Sequence, residues 1–291
     1  MASEPAIQIP GKSQIQIGNT QAEHRINILD AWHGVLKPGS RVLEIGCGQG
    51  TCTEVLAEAV GESGHIDAVD PGSPDYGSPW TLAEAQAHLS AGPLGPRITW
   101  LRADPVGLLS RTATTGQTWD VAVLAHCIWY FKSFTALARI LAALRGRVGR
   151  VCIAEYALHA THPAAVPHVL AALARGTLEA HRDRERSDEN IQTPLSPAAV
   201  REIAGAAGWA VESQGTVVPE HGLDDGRWET GTVIGMGYLA DAHREVGNDV
   251  VLALLKSAQD AVVAAVEGIG GIKAVRTMDV WVATLVEEHK T

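Results

Sequence analysis

Basic residues are in short supply: 23 Lys and Arg stand against 33 Asp and Glu, a formal charge of -10 over 291 residues. Proteins that grip nucleic acid or other polyphosphates carry the opposite excess, so neither is an expected partner. Cysteine is scarce as well. Cys47, Cys52, Cys127 and Cys152 form no CxxC pair, which indicates neither a zinc site nor a disulfide framework, and no metal is expected. A long apolar run is also missing. The longest uncharged stretch, 157–174, is broken by Pro163 and Pro167 and carries His159, His162 and His168, so it makes a poor membrane span. Residues 1–16 show no apolar core behind a basic flank, and no secretory signal is expected there. These absences predict a soluble, cytoplasmic protein. Against them stands a hydrophobic content of 46%, enough for one large packed domain.

The first half alternates between strand and helix patterns. Residues 41–45 (RVLEI) form a short β-branched run that ends in glycines, and 51–60 then place Cys52, Val55, Leu56, Ala59 and Val60 on one helical face. Thr51 with Glu54, and Thr81 with Glu84, have capping-box spacing and predict helix starts. Further strands are predicted at 65–69, 98–101, 121–124 and 151–154, with a helix capped by Ser133 before the last of them. Strands separated by helices imply parallel βαβ units, hence an α/β three-layer sandwich.

The second half loses this beat. A helical stretch at 163–181 leads into a charged run, read as a solvated face or a lid edge. Ser196 and Pro197 open a helix that Gly208 closes, and 209–218 reads as a strand. A long helix at 248–266 precedes a final strand at 278–286. The chain is read as one domain with an N-terminal cover segment at 1–33 and a ligand-binding core at 34–156. Helical cover insertions occupy 157–195 and 219–277, while 196–218 and 278–291 complete the sheet. Insertions of this size at strand ends commonly cover a substrate.

The most informative stretch is Glu44-Ile45-Gly46-Cys47-Gly48-Gln49-Gly50, set between a predicted strand and helix. Such a turn brings backbone N–H groups and a helix N-terminus against a ligand, and a Cβ there would block close approach. The spacing is GxGxG. A dinucleotide fingerprint needs glycine at position 51, where Thr51 stands, which disfavours a nicotinamide oxidoreductase. Asp70 ends the second strand, where a carboxylate can accept both hydroxyls of a ribose. Asp104 follows the third, where it can accept from an adenine amino group. Together they outline a pocket for an adenosine-bearing ligand.

VLEIGCGQG, GHIDAVDPG, RADP and WDVAVLAHCIWYF, taken in that order, resemble the class I S-adenosylmethionine-dependent methyltransferases over about residues 20–156. The resemblance implies a Rossmann-like, mostly parallel seven-stranded sheet ending in an antiparallel strand, with S-adenosylmethionine as cofactor. It further implies that Gly46, Cys47, Gly48 and Gln49 line the methionine and ribose portion, with Glu44 orienting the loop. Asp70 and Pro71 fall at the ribose, Ala103 and Asp104 at the adenine edge, and Ala125 and His126 near the sulfonium. Pro71 departs from the commoner acidic-plus-hydrophobic pair. No NPPY-type motif is present, which points to the small-molecule branch and a small-molecule acceptor.

Methyl transfer to a hydroxyl profits from a general base, and histidine suits neutral pH. His126, directly after a buried strand, is the first candidate base, and His162, in the cluster after the fifth strand, is the second. Glu155 and Tyr156 are placed to face the acceptor, and Trp129, Tyr130 and Phe131 to floor it. The segment 13–25, with Gln14, Gln16, Gln21, His24 and Arg25, is read as folding over the cofactor ahead of the first helix. O-methylation is favoured over N-methylation. A methyltransferase fold that runs a cyclisation instead remains the alternative.

Overall fold

The computed structural model describes residues 19–184 and 186–288. Seven strands form one sheet in the order β3-β2-β1-β4-β5-β7-β6. They are β1 (Arg41–Ile45), β2 (His65–Val69), β3 (Ile98–Leu101), β4 (Trp119–Ala125), β5 (Val148–Tyr156), β6 (Trp209–Val217) and β7 (Val280–Glu287). The first five run parallel, and β7 inserts antiparallel between β5 and β6. Residue alternation along the strands feeds two cores. Val42, Ile66, Val121, Val123 and Cys152 face a layer holding α1 (Asn19–Ala31) and α2 (Thr51–Val60). Leu43, Val69, Ala122, Leu124 and Ile153 face α4 (Pro105–Ala113), α5 (Phe134–Leu144) and α7 (Pro197–Ala206). The α/β three-layer sandwich expected from the sequence is the one observed.

Local details explain the element ends. Thr81 caps α3 (Leu82–Ala91) with the reciprocal capping box its spacing predicts. The same spacing at Thr51 misleads. Helix α2 starts from Gly50 in a left-handed conformation (φ 90°), without any side-chain cap, because the N-cap position falls on a glycine and Thr51 is already the first helical residue. Helix α4 was not legible as an element, although Asp104 caps it by accepting from Gly107 N (2.7 Å) and Pro105 takes its first position.

The two insertions prove to be a single cap. Helix α6 (Val166–Glu179) belongs to the first, and α8 (Asp225–Ile234), α9 (Met236–Glu245) and α10 (Asp249–Gly268) belong to the second. Ala171, Ala174 and Leu178 of α6 share one apolar core with Val233, Tyr238, Leu255 and Val262 of the others. The charged run after α6 is only partly a solvated face. Asp183 and Arg186 are exposed, whereas Arg182 pairs with Glu189 and Asp241 and ties the run to α9. Among the described residues no helix is long and apolar enough to cross a membrane.

The cap is tied to the sheet at Asp279, which is 1% exposed. Its Oδ2 accepts from His159 Nδ1 (2.8 Å), Thr161 N (3.0 Å) and Thr161 Oγ1 (2.7 Å). Replacing Asp279 with alanine removes all three bonds at once, and we expect a stability loss of about 2 kcal/mol. A lower denaturant midpoint at unchanged m-value in urea unfolding is the signature to look for.

Candidate active site

The C-terminal ends of β1, β2, β3, β4 and β5 all open on one edge of the sheet, the edge where open α/β sheets bind ligands. The glycine loop leaves β1 there. Gly46 N and Cys47 N donate to Val69 O at 2.8 and 3.3 Å, which pins the loop to the end of β2. Gly46 (φ 75°) is a packing requirement, because a Cβ on it would lie 2.4 Å from Cys127 Cβ. Gly48 (φ 51°) is different: a Cβ there would meet nothing within 4 Å and would project into open space. The loop is therefore held from below and clear above.

Asp70 and Gln86 bond to the loop from other elements, and Glu44 lies beneath it. Asp70 Oδ2 accepts from Gly48 N (2.9 Å), and its Oδ1 accepts from Gly72 N (2.7 Å). Gln86 Nε2 donates to Gly48 O (2.8 Å), and Gln49 Nε2 to Trp80 O (2.5 Å). Glu44 is buried beneath the loop and accepts from Thr53 Oγ1 (2.5 Å). Burial pushes its carboxyl up to about 7, against the hydrogen bonds from Thr53 and Cys52 and the Arg25 charge. Cys47 is buried against the first core, and burial raises its thiol, so it acts as lining and not as a nucleophile. Pro71 and Asp104 are exposed at the strand ends, Ala103 is half-buried, and Ala125 is buried as the last residue of β4.

His126 follows Ala125 in a left-handed conformation (φ 52°), with its N–H bonded to Ala154 O (2.8 Å). Its Nε2 lies 3.3 Å from His24 Nε2, and its Nδ1 lies 3.7 Å from Glu155 Oε1. The ring centroid is 4.6 Å from that of Tyr156, which in turn meets His168 edge-on at 5.1 Å. Burial lowers all three imidazoles: His24 to about 2, His168 to about 3, and His126 well below the ordinary value. They are neutral at working pH. Glu155, which accepts from Ile128 N (2.9 Å) and Tyr156 N (2.9 Å), is pushed by burial up to about 7.

The remaining sequence candidates divide. His24 and Arg25 lie inside α1 and not ahead of it, while Gln14 and Gln16 fall outside the described residues. The histidines after β5 disperse. His162 is exposed and caps a short turn, its Nδ1 accepting from Ala164 N (3.1 Å), and His159 is spent on Asp279. Only His168 joins the buried cluster, with its Nδ1 accepting from Met278 N (3.0 Å). Trp129 is buried and anchored by Nε1 to Leu195 O, whereas Tyr130 keeps 46% exposure. Thr53 and Gln86 escaped the sequence reading, since nothing in their spacing marks a residue that steadies a loop from another element. Among the described residues no group of three or more His, Cys, Asp or Glu could hold a metal ion.

Residues 20–214 match the family model described as a methyltransferase domain. The chain belongs to the class I S-adenosylmethionine-dependent methyltransferases. Among curated relatives, methyltransferases phomM' and phomM of Diaporthe leptostromiformis are each 33% identical over 84% of this chain and 72% of their own length. A cyclopropane-fatty-acyl-phospholipid synthase-like protein from Lactobacillus casei is 33% identical in a solved structure, with a TM-score of 0.74 over 92% of this chain and 91% of that one. The [4+2]-cyclase SpnF shares the fold at 16% identity, with a TM-score of 0.51 over 96% and 86%. The enzyme is thus a methyltransferase of the small-molecule kind, and its cofactor is S-adenosylmethionine.

The residues present fit that cofactor. The clear space over Gly48 and the uncapped first turn of α2 would give it room and backbone donors, and Glu44, Asp70 and Asp104 would offer acceptors for its amine and hydroxyl groups. When bound, S-adenosylmethionine supplies a methyl group activated by a sulfonium. The chain's own contribution is a loop fixed by Asp70 and Gln86, beside which His24, His126 and Tyr156 pack together near the ends of β4 and β5.

Proposed function

We propose that this methyltransferase acts on a hydroxyl of a small-molecule acceptor, with His126 at the end of β4 taking the hydroxyl's proton. The observation that carries this reading is the contact of two neutral imidazoles, His24 and His126, beside the Glu155 carboxyl. A hydroxyl must shed a proton as it is methylated, and a neutral imidazole offers a lone pair for it. Burial weakens His126 as a base, and an ionised Glu155 beside it offsets that by supporting the charge the ring gains. An amine acceptor arrives with its lone pair available and makes less use of such a base, so oxygen is the favoured atom. Tyr156 against His126, with Trp129 against Tyr156, favours an acceptor with an apolar or aromatic body.

The test is an acceptor screen with S-adenosylmethionine and parallel sets of simple phenols, alcohols and amines, read as S-adenosylhomocysteine released and as one methyl gained by mass spectrometry. Turnover confined to hydroxyl compounds supports the reading, and turnover confined to amines overturns it. A pH dependence follows from Glu155. Its carboxyl is protonated below about 7 and charged above, so kcat should rise with pH through that region as the anion forms beside His126. In Glu155→Gln that carboxyl no longer titrates there and Glu44 alone remains near 7, so this limb should shrink toward a lower plateau in kcat–pH profiles.

A further inference from the structure

Between α6, α8 and α9 the cap holds a cavity of about 140 Å³, lined by none of the residues of the glycine loop or the histidine cluster. Thr232 and Gly237 at its rim are exposed, whereas Leu178, Glu179, Ile191 and Tyr238 deeper in are each at most 4% exposed. A cavity of roughly 150 Å³ takes a molecule the size of benzene, so a chain of about five non-hydrogen atoms fits.

Five charged side chains line it: the guanidiniums of Arg175 and Arg182 and the carboxyls of Glu179, Glu189 and Asp241. Most of their polar atoms are matched. Arg175 donates to Glu189 and Glu229, and Arg182 donates to Glu189 and Asp241. Glu179 is the exception. Both of its oxygens are buried with no hydrogen-bond donor among the described residues. Its ion-pair partner, Arg182 Nη1, stands 3.7 Å from Oε2 and already donates to Glu189. One donor is bare as well, the buried Nε of Arg182. Two unmatched acceptor oxygens thus neighbour one unmatched N–H. Buried polar atoms left this way are costly, and a ligand that serves both kinds relieves the cost. Three carboxyls against two guanidiniums leave the lining acidic, which favours a cation. The other walls are apolar: Leu178, Ile191 and the ring of Tyr238, whose hydroxyl is spent on Ala174 O (3.0 Å).

We propose that this cavity binds a small amino alcohol. Its ammonium donates to the Glu179 oxygens, its hydroxyl oxygen accepts from Arg182 Nε, and its methylene chain lies on Leu178, Ile191 and Tyr238. A plain alkylammonium leaves the Arg182 N–H bare, and an anion faces Glu179. The walls come from α6, the run after it, α8 and α9, so occupancy joins separate pieces of the cap and stabilises it by mass action.

The probe is 3-amino-1-propanol, titrated into the full chain at pH 7 and constant ionic strength and followed by amide chemical shifts. Binding is expected with Kd on the order of 1 mM, with shifts centred on 178–182 and 237–241. 1,3-Propanediol, which lacks the ammonium, should bind at least about tenfold more weakly, and propylamine, which lacks the oxygen, at least about threefold. Glu179→Gln keeps the shape and removes the charge, and should weaken binding at least about tenfold. Gly237→Leu tests the cavity with Glu179 in place. A Cβ there meets no atom within 4 Å, so the side chain has open space at the rim, and leucine suits a helix better than glycine. It should block binding without lowering Tm. Saturating S-adenosylhomocysteine should leave the affinity unchanged. No binding, equal affinity for propanediol, undiminished affinity in either variant, or competition by S-adenosylhomocysteine overturns the proposal. Propylamine bound as tightly as the amino alcohol removes the Arg182 contact and overturns the ligand class.

Discussion

Gly48→Val should abolish measurable S-adenosylmethionine binding, a loss of at least about 100-fold, while the protein stays folded. The reasoning starts from the empty space above that residue: a Cβ meets no protein atom within 4 Å, so the valine methyl groups enter the space the cofactor needs and do not disturb the core. The substitution does carry a backbone cost. A β-branched residue at φ 51° is strained by about 1–3 kcal/mol, which lowers Tm by several degrees. Gly146→Val separates the two effects. Gly146 has φ 67° and equally open surroundings, but it precedes β5, at the opposite edge of the sheet from the loop. Calorimetric titration should find normal affinity in Gly146→Val and none in Gly48→Val, at comparable melting temperatures. Equal affinity in the two would remove the loop from the cofactor site. Gly46→Val is a poor probe of binding, since its side chain would collide with Cys127 and unsettle the loop from below.

His126→Asn should lower kcat by about 10²- to 10³-fold, with cofactor affinity almost unchanged. Asparagine is the suitable replacement because it tolerates the left-handed backbone of this position, where alanine or valine would add strain. The loss has two sources: no imidazole remains to hold the proton, and Glu155 is left beside a side chain that cannot carry the charge. Steady-state kinetics at saturating cofactor, paired with calorimetry, make the distinction. A large affinity loss with normal turnover at saturation would mark His126 as a residue that positions the cofactor.

The strands were legible because five of the seven are short β-branched or apolar runs bounded by Gly, Pro or Asp, and parallel burial on both faces leaves little room for other patterns. The glycine loop was legible because positive φ at Gly46, Gly48 and Gly50 leaves few other residues available. Helix α4 was missed although Asp104-Pro105 carries the same start signal as Ser196-Pro197. Asp104 was weighed only as a ligand contact, yet it is also a cap. The histidines show the deeper limit. His24, His126 and His168 lie more than 40 residues apart or on different elements, and only packing distinguishes them from His159 and His162, which neighbour His168 in sequence but lie on the surface. The union of the two insertions was hidden for the same reason: 196–218, which belongs to α7 and β6, stands between them.

The position of β7 bears on the order in which a newly made chain becomes an enzyme. It is the last of the seven strands to be synthesised, yet it lies between β5 and β6 in the sheet. Until it emerges, β6 has no strand to pair with, and Asp279, just ahead of it, is not there to hold His159 and Thr161. The glycine loop and its supporting aspartate are complete long before, in the first hundred residues. The glycine loop is thus made well before the strand that joins β5 to β6 and completes the sheet.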